Sequence, residues 1–455
     1  MSKSGVWWAK GVVCPSVVVR AATSGQPTLR KRVSCSEARS PVGTTRSPAT
    51  PLVPLSLCFA LLLTACGAPS GTDGGTDAGV SLDGGAFRVF FPPATTGPGN
   101  TVLVTASGEA AAVEGIAFPP ASTGGAPYFV DGWELTFDHV LVTVGAVTLS
   151  ENPDRSPQDQ SQTGPLVARA EGPWAIDLAR GGPLDAKELN GQATPLVRFT
   201  RQDQKTGAPA FDVTSKYALG YSLVTATSGV LNVNLDDDGQ RTYLEMISKG
   251  FSVVLQGTAT WKGAAGSPAC RTTDSSFDFA RFPRKVGFTL GFKAPVEFKN
   301  CINPELTPAD SRGVQTQSSA QTLAQLTFHL DHPFWEALSE DAPLRFDALA
   351  ARRSVPSGAG LFATRLTIDD LGFDFLAPKD AQSSAIPWRT CGPSLGGERT
   401  TGTVAYDPVN VPVSPAGGAA GLANLVDYMT YNLSTFGHLN NDGLCFPDRQ
   451  FAAPK

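Results

Sequence analysis

Short runs of β-forming residues, separated by clusters of Gly, Pro, Asn and Asp, recur along the chain from residue 87 onward. Alternating or continuously apolar runs of this length predict strands. The clearest of them are 87–91, 101–106, 134–149, 217–227, 251–261, 285–292 and 323–330. Patterns typical of helices are fewer and occur at 242–250, 333–340, 343–353 and 421–433. The pattern therefore predicts a mainly β fold with some α: an antiparallel β-sandwich-like core with a few short helices.

The domain organisation is less sharply marked than the strands. A chain of 455 residues has room for two or three domains. The best candidate boundary is the polar stretch 311–322, which lacks any clear periodicity. We expect a β-rich domain over 87–310 and an α+β region over 323–455, which is either separate or part of the same domain.

An apolar run that ends in a cysteine precedes the predicted strands. Residues 52–65 match the apolar part of a signal peptide and fall short of the roughly 20 residues of a membrane span. The run ends in Leu63-Thr64-Ala65-Cys66, which resembles the lipobox of bacterial lipoproteins. The resemblance implies that residues 1–65 are a removed signal region and that Cys66 carries a diacylglycerol thioether. The alternative is an ordinary secretory signal with a chance cysteine.

The segments on either side of Cys66 extend this expectation. Residues 1–50 are basic but too long for the start of a signal peptide, so we expect 1–41 to be a mis-called start or a removed segment. Residues 66–86 are rich in Gly, Ser, Thr and Asp and predict a flexible tether. Gly67 stands where an aspartate would resemble the inner-membrane retention signal of enteric bacteria. The expected location is therefore the outer membrane of the cell envelope.

The charge of the chain argues against nucleic acid as a partner. The formal net charge is −5, and residues 1–65 contain eight of the lysines and arginines but only one of the acids. The chain from Cys66 onward therefore carries 28 basic and 40 acidic side chains. Such a chain is repelled by nucleic acid and by anionic surfaces. The expected partner is the lipid bilayer, reached through the acyl chains on Cys66.

Four cysteines follow Cys66, and their even number predicts disulfides in an oxidising compartment. Four cysteines allow three pairings. We expect Cys270–Cys301 and Cys391–Cys445, because bonds between near neighbours require the simplest topology.

The segment 234–245 resembles the calcium loop of EF-hand proteins, with a glycine at the position of the sharp turn. Arg241 replaces the usual aliphatic residue, and the run before the loop predicts a strand rather than a helix. The alternative is an Asp-Gly turn that ends a strand. The ligands implied by the resemblance are Asn234, Asp236, Asp238, the backbone carbonyl of Gln240, and Glu245.

Histidine is rare in this chain, yet two of the four histidines lie in His329-Leu-Asp331-His332. Imidazole and carboxylate together suit copper, zinc or iron. We predict a transition-metal site, copper or zinc, formed by His329, Asp331, His332 and His438. The alternative is structural: Asp331 or His332 caps a helix that begins at Pro333, and His329 is an ordinary sheet residue.

The same region resembles a family of secreted proteins. The H-x-D sequence at 329–331, followed by Phe334-Trp335 and by Arg345-Phe346-Asp347, occurs here in a β-rich chain with four cysteines. This combination is similar to the four-cysteine copper-binding proteins that partner di-haem peroxidase-like enzymes. The resemblance implies copper handling in the periplasm.

Catalytic signatures do not decide the function, since the chain contains neither H-E-x-x-H nor a Walker A loop. We expect a binding or structural role in the cell envelope rather than an enzyme. A metal-handling protein or metalloenzyme is one alternative, and a carbohydrate-binding module is another. The second would use a platform of tryptophans, which more commonly belong to the core: Trp133, Trp174, Trp261, Trp335 and Trp388.

Overall fold

The structure is a computed structural model, and it describes residues 85–120, 127–188, 190–204, 208–263, 281–308, 311–336, 342–353, 365–372, 383 and 424–451. The strands are β1 (Phe87–Val89), β2 (Val102–Ser107), β3 (Trp133–Ser150), β4 (Leu166–Asp177), β5 (Leu184–Asp185), β6 (Gln192–Phe199), β7 (Lys216–Leu223), β8 (Val230–Asn232), β9 (Val253–Trp261), β10 (Lys285–Phe292), β11 (Val296–Lys299), β12 (Val314–Gln315), β13 (Thr322–Phe328), β14 (Leu366–Thr367), β15 (Gly437–Leu439), β16 (Gly443–Leu444) and β17 (Phe446–Arg449). The helices are α1 (Glu109–Glu114), α2 (Asp237–Lys249), α3 (Asp347–Ala351) and α4 (Leu425–Leu433). Turns of 3-10 helix occur at Leu178–Arg180, Gln202–Gln204, His332–Phe334 and Ile368–Leu371.

The larger of two sheets is built around the long strand β3. Its first half pairs with β9, and its second half pairs with β4 and β7, all antiparallel. The main path of this sheet runs β1-β8-β4-β3-β7-β11-β17, and β9, β10, β12 and β14 join beside it. A strand of this length can serve two sets of neighbours because register shifts near Phe137 and Val144 bend it.

The smaller sheet has the strand order β16-β15-β13-β2-β6-β5. Its central pair, β2 and β13, is parallel, and the outer pairs are antiparallel. Parallel neighbours have their carboxyl ends at the same edge, so the residues that follow β2 and β13 are brought together. This edge carries the candidate site.

The predicted mainly β architecture with a few short helices is confirmed, and each of the seven clearest predicted strands overlaps an observed one. The sheets, however, are mixed rather than antiparallel, because β1–β8, β4–β8, β10–β14 and β2–β13 are parallel pairs. The helix predicted at 242–250 begins earlier, at Asp237, and its end at Gly250 is as expected, with φ 71° and ψ 35°. Glycine adopts this left-handed conformation without a steric penalty.

Strands from both sides of the predicted boundary at 311–322 share the same sheets. β13 pairs with β2 in the smaller sheet, and β17 pairs with β11 in the larger one. Residues 79–455 accordingly form one unit. The described strands β13 and β17, which follow residue 321, are therefore interleaved with strands that precede residue 311.

The core contains aromatic rings from both sheets. Tyr221 of β7 lies 4.8 Å from Phe298 of β11 and 6.0 Å from Phe328 of β13, measured between ring centroids. Phe436 packs against both phenylalanines, at 6.3 and 5.0 Å. Burial of several such side chains contributes about 2 kcal/mol each, and it fixes the segment before β15 against the larger sheet.

The predicted disulfide pairing is wrong. Cys301 is bonded to Cys445, which lies 144 positions further along the sequence, and their Cα atoms are 3.9 Å apart. The reason is strand pairing, because β11 and β17 are antiparallel neighbours and bring the residues at their ends together. The backbone N–H of Ile302 also donates to the carbonyl of Leu444 at 2.9 Å. Cys270 and Cys391 lie outside the described residues.

Candidate metal centre

Two chain segments meet where the parallel strands β2 and β13 end. Ser107, the last residue of β2, pairs with Thr327 of β13. Glu109 and His329 follow directly, and Glu109 Oε1 lies 3.2 Å from His329 Nε2. Ligand sites commonly form just beyond the carboxyl ends of parallel strands, because the chain leaves the sheet there and its side chains converge.

The third strand at this edge, β15, supplies His438. It runs antiparallel to β13, with Thr327 opposite His438 and Phe328 opposite Gly437. Gly437 is required by space, since an added Cβ would lie 2.5 Å from both the Phe298 ring and the Tyr221 hydroxyl. The Tyr221 hydroxyl also donates to the His438 carbonyl at 3.2 Å, which fixes the backbone of this strand.

A tight turn places His332 beside the other two histidines. The chain leaves β13 and forms the 3-10 turn His332–Phe334, which has Pro333 as its second residue and packs against α4. Within the described residues, the helix that we expected to begin at Pro333 is only this single 3-10 turn. The imidazole of His332 contacts the loop before β15, where its Nδ1 lies 2.9 Å from Thr435 Oγ1.

The three histidines form a cluster. One ring nitrogen from each of His329, His332 and His438 lies within 4.8 Å of those of the other two. The rings of His329 and His438 are stacked, with centroids 4.1 Å apart, and His332 stands nearly perpendicular to both at 5.6 and 5.4 Å. Three nitrogens bound to one metal at about 2.0–2.1 Å are about 3.3 Å apart, so the nitrogens of this cluster would have to approach one another by at most about 1.5 Å to share one ion.

The hydrogen bonds leave a free lone pair on each ring. The Thr435 hydroxyl donates to the Asn432 carbonyl at 2.8 Å, so it accepts the bond from His332 Nδ1–H, and His332 Nε2 is unprotonated. His329 Nε2 donates to the Asn441 carbonyl at 3.1 Å, which leaves the lone pair of His329 on Nδ1. Neither nitrogen of His438 has a hydrogen-bond partner among the residues that the structure describes, although both are buried.

The electrostatics keep two of the rings neutral. Burial holds the pKa of His332 well below its ordinary value of 6.5, and the neighbouring His438 and His329 lower it further. Burial likewise lowers the pKa of His438, as does His329, whereas the nearby carbonyls of Thr435 and Asp442 oppose this to a smaller extent. A metal binds only the neutral imidazole, so this environment prepares the ligands.

Glu109 is the residue of this site that sequence reasoning missed. Burial raises the pKa of its carboxyl to about 7; His329 lowers this pKa, and the carboxylates of Glu188, Asp331 and Asp442 raise it further. Its backbone has φ 59°, in the left-handed region. No local pattern marks Glu109, because its partner His329 lies far along the chain and only the parallel pairing of β2 with β13 joins them.

The remaining predicted ligand, Asp331, is directed elsewhere. Its Oδ2 accepts a hydrogen bond from Trp335 Nε1 at 3.1 Å, and it is not a member of the three-histidine cluster. Its side chain makes no capping bond to the turn either. The fourth histidine, His139, is also outside the cluster, since its Nδ1 lies 2.6 Å from Asp177 Oδ2.

The predicted calcium loop is wrong, because most of it is helical. α2 begins at Asp237, and the Asp236 side chain caps it by accepting from the Gly239 N–H at 2.8 Å. The other proposed ligands contact different partners. Asn234 forms hydrogen bonds with the backbone of Asp177, while Asp238 and Glu245 form ion pairs with Arg241 and Lys249. Gln240 lies within the helix, where its N–H donates to the Asp236 carbonyl. The alternative, an Asp-Gly turn that ends a strand, is not found either, because Asp238 and Gly239 lie inside α2.

The tryptophans do not form a platform in the described part of the chain. Trp133, Trp174 and Trp335 are buried in the core, and the half-buried Trp261 is covered by the Arg284 guanidinium at 3.9 Å. Trp388 lies outside the described residues, as do Cys66, the signal region and the tether. The sequence Gly-Pro-Ser-Leu-Gly at 392–396 matches the G-x-S-x-G pattern of serine hydrolases, and it also lies outside the described residues.

Comparison with known proteins finds no match: no family model, no curated protein and no solved structure corresponds to this chain. Among the described helices, none is both long and apolar enough to cross a membrane. The chemistry of the site is therefore the basis for inferring a function.

Proposed function

We propose that this protein binds one transition-metal ion through His329, His332 and His438, and that its role is metal binding or handling in the cell envelope. The observation that carries the proposal is the convergence of three imidazole nitrogens within 4.8 Å. Clustered histidines would repel one another if they were protonated, and two of these are buried with lowered pKa values. A metal ion would bind one of the two ring nitrogens of His438, neither of which has a hydrogen-bond partner among the described residues.

Copper is the metal that we propose first, with zinc as the alternative. Imidazole ligands suit both ions, and copper(II) binds nitrogen ligands more tightly than zinc does. The resemblance of residues 329–347 to the four-cysteine copper-binding proteins also favours copper. Three protein ligands leave a coordination position open, and His329 is the most exposed of the three, so exchange of the ion or of a further ligand would occur on that side.

The test is metal analysis and competitive titration of protein purified without a histidine tag. We expect one equivalent of metal in the wild type, and binding at least 100-fold weaker in His438→Asn. The matched control is His139→Asn, which removes a histidine outside the cluster and keeps an N–H donor for Asp177. This control should bind like the wild type.

Two outcomes would overturn the proposal. One is a folded wild-type protein that takes up neither copper nor zinc. The other is a His438→Asn variant, shown to be folded by circular dichroism, that retains the wild-type affinity.

We also propose that the metal site is held at the outer membrane by lipid on Cys66. The sequence Leu63-Thr64-Ala65-Cys66 supports this, and the Cys301–Cys445 disulfide is typical of an oxidising compartment. Mass spectrometry of the processed N terminus should find Cys66 acylated, and the protein should enter the detergent phase on partitioning. Cys66→Ser should remain in the aqueous phase. A wild-type protein with an unmodified Cys66 thiol would exclude this anchor.

A further inference from the structure

We infer that Glu109 is a positioning residue of the metal centre, which holds the Nε2 proton of His329 in place so that Nδ1 faces the metal. This inference rests on the proposed function and adds to it a residue from a different part of the chain. Glu109 belongs to the segment after β2, whereas the three histidines come from the segments after β13 and in β15.

The contact geometry supports a partner of a ligand rather than a fourth ligand. Glu109 Oε1 lies 3.2 Å from His329 Nε2, yet Glu109 is not a member of the three-histidine cluster. His329 Nε2 also donates to the Asn441 carbonyl. Two oxygen acceptors therefore lie on the Nε2 side of the ring. Metal-bound histidines usually donate their other N–H to a carboxylate or carbonyl, which fixes the tautomer and the ring orientation.

The backbone at Glu109 is the second observation. The described non-glycine residues with positive φ are Asn or Asp, apart from Ser383 and Glu109. Asn and Asp adopt this region more readily than Glu does. Glu109 is held there by its N–H, which donates to Ser107 Oγ at 3.0 Å, while Ser107 donates in turn to Glu188 at 2.9 Å. Strained residues of this kind cluster at functional sites, and here the strain places a carboxylate beside a candidate ligand.

The test uses Glu109→Gly and Glu109→Gln. Glycine adopts φ 59° without strain, so Glu109→Gly removes the carboxylate without lowering stability through the backbone. Glutamine keeps the shape and an acceptor oxygen. The matched control is Glu114→Gln, which removes an exposed carboxylate at the other end of α1.

Two readouts separate positioning from structure. In the metal-free protein, nitrogen NMR of His329 should show the Nε2–H tautomer in the wild type, in Glu109→Gln and in Glu114→Gln, and a mixture of tautomers in Glu109→Gly. In copper(II) titrations, Glu109→Gly should bind 10- to 100-fold more weakly than the wild type, with Glu109→Gln between the two and Glu114→Gln unchanged. The thermal midpoint of Glu109→Gly should be equal to or above that of the wild type.

The inference is overturned if Glu109→Gly keeps the wild-type tautomer and affinity, or if its affinity falls only together with its thermal midpoint. The NMR measurement needs no metal. A wild-type protein that binds no metal therefore contradicts the proposed function, whereas an unchanged tautomer in Glu109→Gly contradicts the role of Glu109.

Discussion

Cys301 is bonded to Cys445 across 144 residues of sequence, at the point where the antiparallel strands β11 and β17 meet. The same bond ties the β15–β16 hairpin, and with it His438, to the larger sheet, because Cys445 directly follows β16. The covalent link therefore supports the least locally determined member of the histidine cluster.

The first prediction concerns the pairing of the cysteines. Peptide mapping without reduction should recover a peptide pair that contains Cys301 and Cys445, and the other linked pair should contain Cys270 and Cys391 by elimination. Because the closed loop is long, Cys301→Ser with Cys445→Ser should lower the free energy of unfolding by about 4–5 kcal/mol in the chain-entropy model. Recovery of a Cys391–Cys445 peptide would contradict this pairing.

The second prediction separates Asp331 from the histidines. Asp331→Asn should retain one equivalent of metal and an affinity within about threefold of the wild type, because the asparagine oxygen still accepts from Trp335 Nε1. Isothermal titration with copper(II) measures this. A loss of binding in Asp331→Asn as large as in His438→Asn would restore Asp331 as a ligand.

The third prediction concerns the start of α2. Asp236→Ala should lower the free energy of unfolding by about 1 kcal/mol, because it removes the side chain that caps the helix. Glu245→Gln removes only an exposed pair with Lys249 and should cost about 0.3–0.5 kcal/mol at most. Chemical denaturation measures both. Neither variant should change the calorimetric response to calcium, whereas a calcium loop would make Glu245 the more sensitive position.

The fourth prediction is a pH dependence set by a buried carboxyl. Burial raises the pKa of Asp131 from 3.8 to about 7; Asp347 contributes to the rise, while Arg345 opposes it. Asp131 Oδ2 accepts from the N–H groups of Phe346 and Asp347, both at 2.8 Å, and no described group bonds to the buried Oδ1.

Because the folded state holds this proton more tightly than the unfolded state, the stabilisation is complete below about pH 4 and is lost as the pH rises through about 7. Asp131→Asn should flatten this decline, which amounts to about 1.4 kcal/mol per pH unit. Denaturation curves between pH 4 and 8 test it, with the exposed Asp138→Asn as control. An unchanged slope in Asp131→Asn would show that another group carries the dependence.

The sequence predicted the three histidines of the candidate site, but it did not predict which other side chains contact them. The H-x-D-H segment marked His329 and His332, and the rarity of histidine drew attention to His438. Asp331 was included by proximity in sequence, but its carboxylate accepts from Trp335 instead. Glu109 carried no local signal, since a single glutamate at the start of a short helix is commonplace.

The amino-acid sequence alone determined where seven of the seventeen described strands lie, where α2 ends at Gly250, and which short segment is rich in metal-ligating side chains. These features depend on the alternation of side chains and on conformational preferences, which act between near neighbours. The tertiary structure decided the parallel pairing of β2 with β13, the bond between Cys301 and Cys445, and the meeting of Glu109 with His329. Such pairings depend on which strands bury one another's side chains, and that energy is gained only when distant segments pack into one core.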